Sequence, residues 1–261
     1  MKKSIYVLAN ATSALIFLLV SVAMARGATS DYFVEKKINI SSFTTNPQAM
    51  ELLPGGFAVV DWEGSYSIGY WLDSQGRLWN MTNSSIVSRF NLTDFSNRVT
   101  GIRVFNQTTN ITNYAILDNA GANKSLYIIN ASNFRKYNTF VSPIPGFNTT
   151  DNLAGFCTNK SAFLVALRDR DVINMINSWN MSQNMTGEIS IPGTNAAGGL
   201  DCFDGNISQL FILDEDTSIF YITKEDNSII KDSVNLSSLS GEAVNSFSDI
   251  AVHNDGDFYV L

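Results

Sequence analysis

The sequence predicts an all-β protein: a five-bladed β-propeller whose N-terminal strand closes the last blade, preceded by an N-terminal hydrophobic helix. Three observations point there. An apolar strand, an Asp/Asn-rich tight turn and a second apolar strand recur five times along the 261 residues. The copies repeat at 40 to 51 residues, counted from Asp73 to Asp118, Asp169, Asp214 and Asn254. No stretch after residue 30 carries a helical period. A period of this length built only from strands is a propeller pattern.

The copies can be read in order. The first runs from Tyr70-Trp71-Leu72-Asp73 to Leu78-Trp79, and the second from Tyr114-Ala115-Ile116-Leu117-Asp118 to Leu126-Tyr127-Ile128-Ile129. The third is Phe163-Leu164-Val165-Ala166-Leu167 to Val172-Ile173. The fourth is Leu210-Phe211-Ile212-Leu213-Asp214 to Phe220-Tyr221-Ile222. The fifth is Ile250-Ala251-Val252 to Phe258-Tyr259-Val260-Leu261. Each strand alternates or runs apolar and is bounded by Asn, Asp, Gly or Ser, as strands are. A β-sandwich also has many short strands, but the regular spacing disfavours it.

A fourth strand has its own phrase, apolar-Asn-apolar-Ser/Thr-x-apolar. It appears at Ile38–Phe43, Phe90–Phe95 and Val234–Leu239. The stretch Tyr32–Ile40 reads as such a fourth strand, while the chain given ends on a third. The expectation is that 32–40 pairs with Phe258–Leu261, which would tie the ends of the ring together and remove an open edge. The expected blades are 52–92, 98–142, 152–191, 198–239, and 245–261 with 32–40. The domain reading is a signal peptide or membrane anchor over 1–25, a linker over 26–31, and the propeller over 32–261.

The start of the chain carries Lys2-Lys3, an apolar stretch from Ile5 to Ala25, and Ala23-Met24-Ala25 at its end. Basic start, apolar centre and small-x-small site describe an export signal. The alternative is a retained helix, since about 20 apolar residues span a bilayer. Either way the rest of the chain is secreted or held at the cell surface, and a membrane enters only through residues 4–25 if they are retained.

Sequons support that compartment. After residue 26, fourteen asparagines begin Asn-x-Ser/Thr: Asn39, Asn80, Asn83, Asn91, Asn106, Asn110, Asn123, Asn130, Asn148, Asn159, Asn180, Asn184, Asn206 and Asn235. Composition alone would give about five. Charged residues are 16% of the chain, against about 25% in an ordinary domain. N-glycosylation would supply the missing solubility. The net charge of −7 excludes nucleic acid, whose phosphates need concentrated Lys and Arg.

The stretch Asp249-Ile250-Ala251-Val252-His253-Asn254-Asp255-Gly256-Asp257-Phe258-Tyr259-Val260-Leu261 resembles an NHL-like propeller repeat. With two cysteines and dense sequons, the chain also resembles an exported, heavily glycosylated archaeal-type surface protein. Neither resemblance brings a catalytic motif.

The turn acids Asp73, Asp118, Asp169, Asp214 and Asp255 recur with the repeat, which favours backbone hydrogen bonds within their own turns. Calcium wants six to eight oxygens, and no Asp-x-Asp-x-Asp-Gly loop is present; no metal or other cofactor is expected. His253, alone, builds no zinc site. Acids that break the repeat are the candidates for glycoside chemistry, which needs two carboxylates: Asp61, Glu63, Asp201 and Asp204. Cys157 and Cys202 occupy equivalent places in neighbouring blades, as a disulfide or as two buried thiols. Trp62, Trp71, Trp79 and Tyr70 gather in the first blade, for packing between blades or for stacking on sugars.

The expected function is a non-catalytic glycoprotein that binds, adheres or builds structure at the cell surface. Its partners would be an extracellular protein or glycan, with self-assembly as a further possibility. The alternative is a secreted carbohydrate-active enzyme with carboxylates at the propeller channel.

Overall fold

In the computed structural model the described residues are 3–9, 32–53, 55–79, 89–92, 98–105, 113–119, 124–130, 136–141, 144, 147, 150–158, 162–168, 172–177, 185–190, 197–202, 209–223, 230–241, 247–253 and 257–261. They form five four-stranded sheets. In the first, β3 (Pro47–Leu53), β4 (Gly56–Trp62), β5 (Ser67–Asp73) and β6 (Arg89–Asn91) follow one another. The second holds β7 (Val99–Phe105), β8 (Asn113–Asp118), β9 (Ser125–Asn130) and β10 (Lys136–Val141). The third is β11 (Leu153–Thr158), β12 (Ala162–Leu167), β13 (Val172–Asn177) and β14 (Met185–Ser190). The fourth is β15 (Ala197–Cys202), β16 (Leu210–Asp214), β17 (Ile219–Thr223) and β18 (Ile230–Asn235). All four are antiparallel meanders.

The fifth sheet is ordered β19 (Ile250–Val252), β20 (Phe258–Val260), β1 (Lys3–Ala9), β2 (Tyr32–Asn39). Two expectations are corrected here. Lys3–Ala9 is a strand, not the start of a helix, and the rest of the hydrophobic segment lies outside the described residues. Ile5, Tyr6 and Val7 are residue types that suit a strand, so the same apolar run fits a sheet. Nor does β2 pair with β20. It shares that sheet, but β1 stands between them, with Ile5 opposite both Phe258 and Val34.

Direction is informative at this sheet. Elsewhere the third strand runs antiparallel to both neighbours, so second and fourth strands point the same way. Here β1 is parallel to both β2 and β20. β2 therefore has the direction of a fourth strand, and β1 fills the third place in reverse.

First strands pack on one another in a closed cycle: β3 on β7, β7 on β11, β11 on β15, β15 on β19, and β19 on β3. Glycine permits the closest approaches. A Cβ on Gly155 would lie 2.5 Å from the Leu200 backbone N, and one on Gly199 2.7 Å from that of Ile250. The core is divided accordingly into five apolar clusters, each between neighbouring sheets. Trp71 meets Tyr114 edge-on at 6.1 Å between the first two sheets, so this tryptophan packs between sheets rather than facing a ligand. The first sheet begins at Pro47, earlier than the expected 52, because Ala49 and Met50 supply its buried inner strand.

The fourth-strand phrase is also refined. In Val234–Leu239 the strand stops at Asn235, whose side-chain oxygen accepts from Ser238 N at 2.8 Å and caps the short helix α1 (Leu236–Ser240). Asn39 ends β2 in the same way, its Oδ1 accepting from Ser41 N at 2.9 Å. Asn is a strong cap residue, so the phrase marks the end of a strand.

Candidate functional site at the ring centre

The first strands share a three-residue pattern: Ala49-Met50-Glu51, Gly101-Ile102-Arg103, Gly155-Phe156-Cys157, Gly199-Leu200-Asp201 and Asp249-Ile250-Ala251. Irregular pairing recurs at this level in β3, β7, β11 and β15. Such bulges re-aim side chains. The pattern's last position holds Glu, Arg, Cys, Asp and Ala in turn, which gives the ring centre its chemistry.

Arg103 is the hub. Its Nη1 donates to Met50 O at 2.5 Å and Ile102 O at 2.7 Å. Its Nη2 donates to Leu200 O at 2.8 Å and Ile250 O at 3.0 Å. Four inner strands are thus tied to one guanidinium. Asp249 neutralises it, with Oδ1 3.2 Å from Nη2 and Oδ2 3.3 Å from Nη1. Asp201 Oδ1 and Glu51 Oε2 approach Nε at 3.6 and 3.9 Å.

The acids have further partners. Asp249 accepts from Met50 N and its own neighbour Ile250 N, each at 2.8 Å, and Asp201 accepts from Val252 N and Cys202 N, each at 2.8 Å. Among the described residues Glu51 Oε2 has no hydrogen-bond partner. Burial, opposed by Arg103, pushes the Glu51 carboxyl up to about 8. Burial raises Asp201 and Asp249 as well, again against Arg103. Arg103 is raised despite burial, because three acids surround it. One guanidinium facing three ionised acids would leave surplus negative charge in a buried space, and a neutral Glu51 removes part of it.

Of the expected acids that are described, only Asp201 reaches this cluster. Asp61 is buried at the rim of the first sheet, where its carboxylate accepts from Asn46 N at 2.7 Å and Thr45 N at 3.1 Å. Glu63 is exposed and Asp204 lies outside the described residues. Glu51, Arg103 and Asp249 were missed. A lone cation inside the apolar strand Val99–Phe105 was the available signal, since Arg is rarely buried without partners.

The other expected residues divide as follows. Cys157 and Cys202 are both buried free thiols on adjacent inner strands. Burial, then a hydrogen bond that its S–H makes to the Cys202 sulfur, raises Cys157 well above the usual range. Two of the turn acids act within their own turns: Asp73 accepts from Gln75 N at 2.8 Å and Arg77 N at 3.0 Å, and Asp214 from Thr217 N at 3.0 Å. Asp118 is described but buried at the end of β8, and Asp169 and Asp255 lie outside the described residues. Among the sequons, Asn39, Asn91 and Asn235 are exposed at the last residue of a fourth strand, and Asn130 is half-buried. Asn80, Asn83, Asn106, Asn110, Asn123, Asn148, Asn159, Asn180, Asn184 and Asn206 lie outside the described residues. Among the described residues no helix is long and apolar enough to cross a membrane.

A second feature lies at one mouth of the ring, where all five sheets contribute to a depression of about 370 Å3. The first sheet and its approach supply Asn46, Gln48 and Trp62. Arg98, Arg168, Glu215 and Ser248 come from the others.

No family model matches the chain, and no curated protein matches it in sequence. Solved structures do match. A crystal structure of a nidogen/laminin complex aligns with TM-score 0.52 at 12% identity, covering 81% of this chain and 72% of that one. Glutaminyl cyclase of Myxococcus xanthus aligns with TM-score 0.55 at 10% identity, covering 82% and 84%. The fold is of the β-propeller type. At such identities the likeness shows fold alone.

Proposed function

We propose that this propeller-type chain is a non-catalytic glycoprotein, exported to the cell surface, that binds or builds structure there. Its five sheets act as five blades of a closed ring with NHL-like repeats, in an archaeal-type envelope protein. The observation that carries this reading is the use of Arg103: one side chain ties four inner strands together and occupies the place where the carboxylates of three sheets converge. Asp249 and Asp201 spend their oxygens on Arg103 and on backbone N–H groups. A catalytic pair needs an acid and a base open to substrate.

Exposed Asn39, Asn91 and Asn235 fit a coat at the outer ends of the sheets. A glycan is carried on the amide nitrogen, so Asn39 and Asn235 keep the oxygen that caps the following turn. The N-terminal segment is the export device, cleaved after Ala25 or kept as an anchor. A segment cut away after Ala25 cannot also supply β1, so the mature N-terminus decides how the fifth sheet is completed. Mass spectrometry of the protein isolated from its native cells tests the reading. It predicts glycan mass at the sequons, and a bare, intracellular chain would contradict it.

A second reading has one observation in its favour. Glu51 and Asp201 both lie within 4 Å of the Arg103 Nε, which brings carboxylates from two sheets together, and two carboxylates are what glycoside cleavage needs. A raised acid beside a hydrogen-bonded carboxylate is also how acid and base roles are divided. On that reading Glu51 is the proton donor and Asp201 the base. Both side chains are only 14% exposed, which leaves a sugar little access and favours the first reading.

A further inference from the structure

The depression at the mouth of the ring is lined by charged, amide and hydroxyl side chains. The chain carries net charge −7, yet two guanidiniums and one carboxylate meet here. Arg98 lies 5.0 Å over the Trp62 ring. Arg168 donates through Nη2 to Glu215 Oε1. Burial and then the like charge of Arg168 hold Arg98 below its ordinary value, with Glu215 opposing. The two cations therefore feel each other, and one carboxylate serves both.

Arg168 has capacity left. Its side chain is 25% exposed, but its Nε is buried and meets no acceptor among the described residues. A buried donor without a partner costs stability, unless a ligand supplies the acceptor. Beside it stand amides and a hydroxyl: Gln48 Nε2 donates to Asn46 Oδ1 at 2.8 Å, and Ser248 Oγ to Pro47 O at 2.9 Å. The volume suits one small ligand or one residue of a chain.

We propose that this mouth binds an acidic sugar residue, a uronic acid borne on a glycan. The claim rests on the binding-module reading above and names its ligand class. The sugar carboxylate sits between Arg98 and Arg168 and accepts from the Arg168 Nε, a charge-assisted bond that relieves both the like-charge contact and the orphaned donor. The sugar hydroxyls meet the amides of Asn46 and Gln48, and the Trp62 edge bounds the apolar side. A planar fork at two positions favours a carboxylate over a neutral group.

The test uses the full glycosylated protein and trigalacturonate as the probe, with neutral trigalactose and a triglutamate peptide as controls, followed by calorimetric titration. Trigalacturonate binding that is at least about tenfold stronger than trigalactose binding, and is reduced about tenfold or more in Arg168→Gln, supports the proposal. No trigalacturonate binding, equal binding of trigalactose, or Arg168→Gln without effect would overturn it. So would stronger binding of triglutamate, which would make the site one for acidic peptide. Should Arg168→Gln fail to fold, Gln48→Ala and Arg98→Gln serve instead, with loss of binding expected and unchanged binding contradictory. Product analysis of the same mixtures separates the two claims. Cleaved trigalacturonate would contradict the non-catalytic reading, whereas absence of binding contradicts the site alone.

Discussion

Arg103 and Asp249 are 146 residues apart in sequence and meet at the ring centre, Nη2 to Oδ1 at 3.2 Å. The second sheet provides the cation and the fifth the anion, so the pair fastens sheets that are distant in the chain. Replacing Arg103 by Met removes the hub and leaves Asp249 and Asp201 buried without their cation. Breaking a buried pair in this way costs about 3–5 kcal/mol. Urea unfolding at neutral pH measures it. Arg103→Lys keeps the charge but loses the forked donors, and its loss is smaller.

Glu51 makes stability depend on pH with a sign opposite to ordinary acid denaturation. Its carboxyl rises from 4.5 to about 8 on folding, so the folded state holds a proton that the unfolded state releases. The contribution is fully present below about 4.5 and is lost as pH rises through about 8. The raised Asp201 and Asp249 act in the same direction. Glu51→Gln carries a permanent neutral group, so the difference in unfolding free energy between wild type and variant grows in the variant's favour as pH rises from 5 to 9. A difference that stays flat over that range would show that Glu51 is ionised in the fold.

Much of the ring was legible because its strands are locally apolar and bounded by turn residues, as in Ala162–Leu167 and Leu210–Asp214. The centre was not. Beyond its own strand Arg103 takes its partners from residues 50, 51, 200, 201, 249 and 250, and no local pattern joins positions brought together by ring closure. Asp201 stood out because it breaks the repeat, while Asp249 was hidden inside one. The N-terminal run misled in another way: an apolar segment reads equally as helix or strand until its neighbours are known. Leu236–Leu239 reads as more strand because the alternation continues past Asn235, which both ends the strand and caps the helix.

The sequon at Asn235 separates glycan from cap. Ser237→Ala abolishes the sequon and leaves the Asn235 Oδ1 bond to Ser238 N in place. Asn235→Ala removes both and costs a further ~1 kcal/mol, the usual loss of a cap. Both variants should lose one glycan mass. Equal stability of the two would show that the cap does not contribute.

Cys157 and Cys202 face each other on the inner strands of the third and fourth sheets. Free in the structure, they should resist an alkylating reagent in the native protein and both react once it is unfolded without reductant, since a buried thiol held above its usual range is inert. No alkylated cysteine after that unfolding would mean that the two are joined as a disulfide.

The central claim is that the converged acids hold the ring together and do no chemistry. Incubation of the native protein with a panel of neutral and acidic oligosaccharides, with products followed by mass spectrometry, tests it most directly. The account predicts no cleaved product from any substrate, in the wild type and in Asp201→Asn alike. Hydrolysis by the wild type that disappears in Asp201→Asn or Glu51→Gln, with the fold intact, would contradict it and make the ring centre an active site.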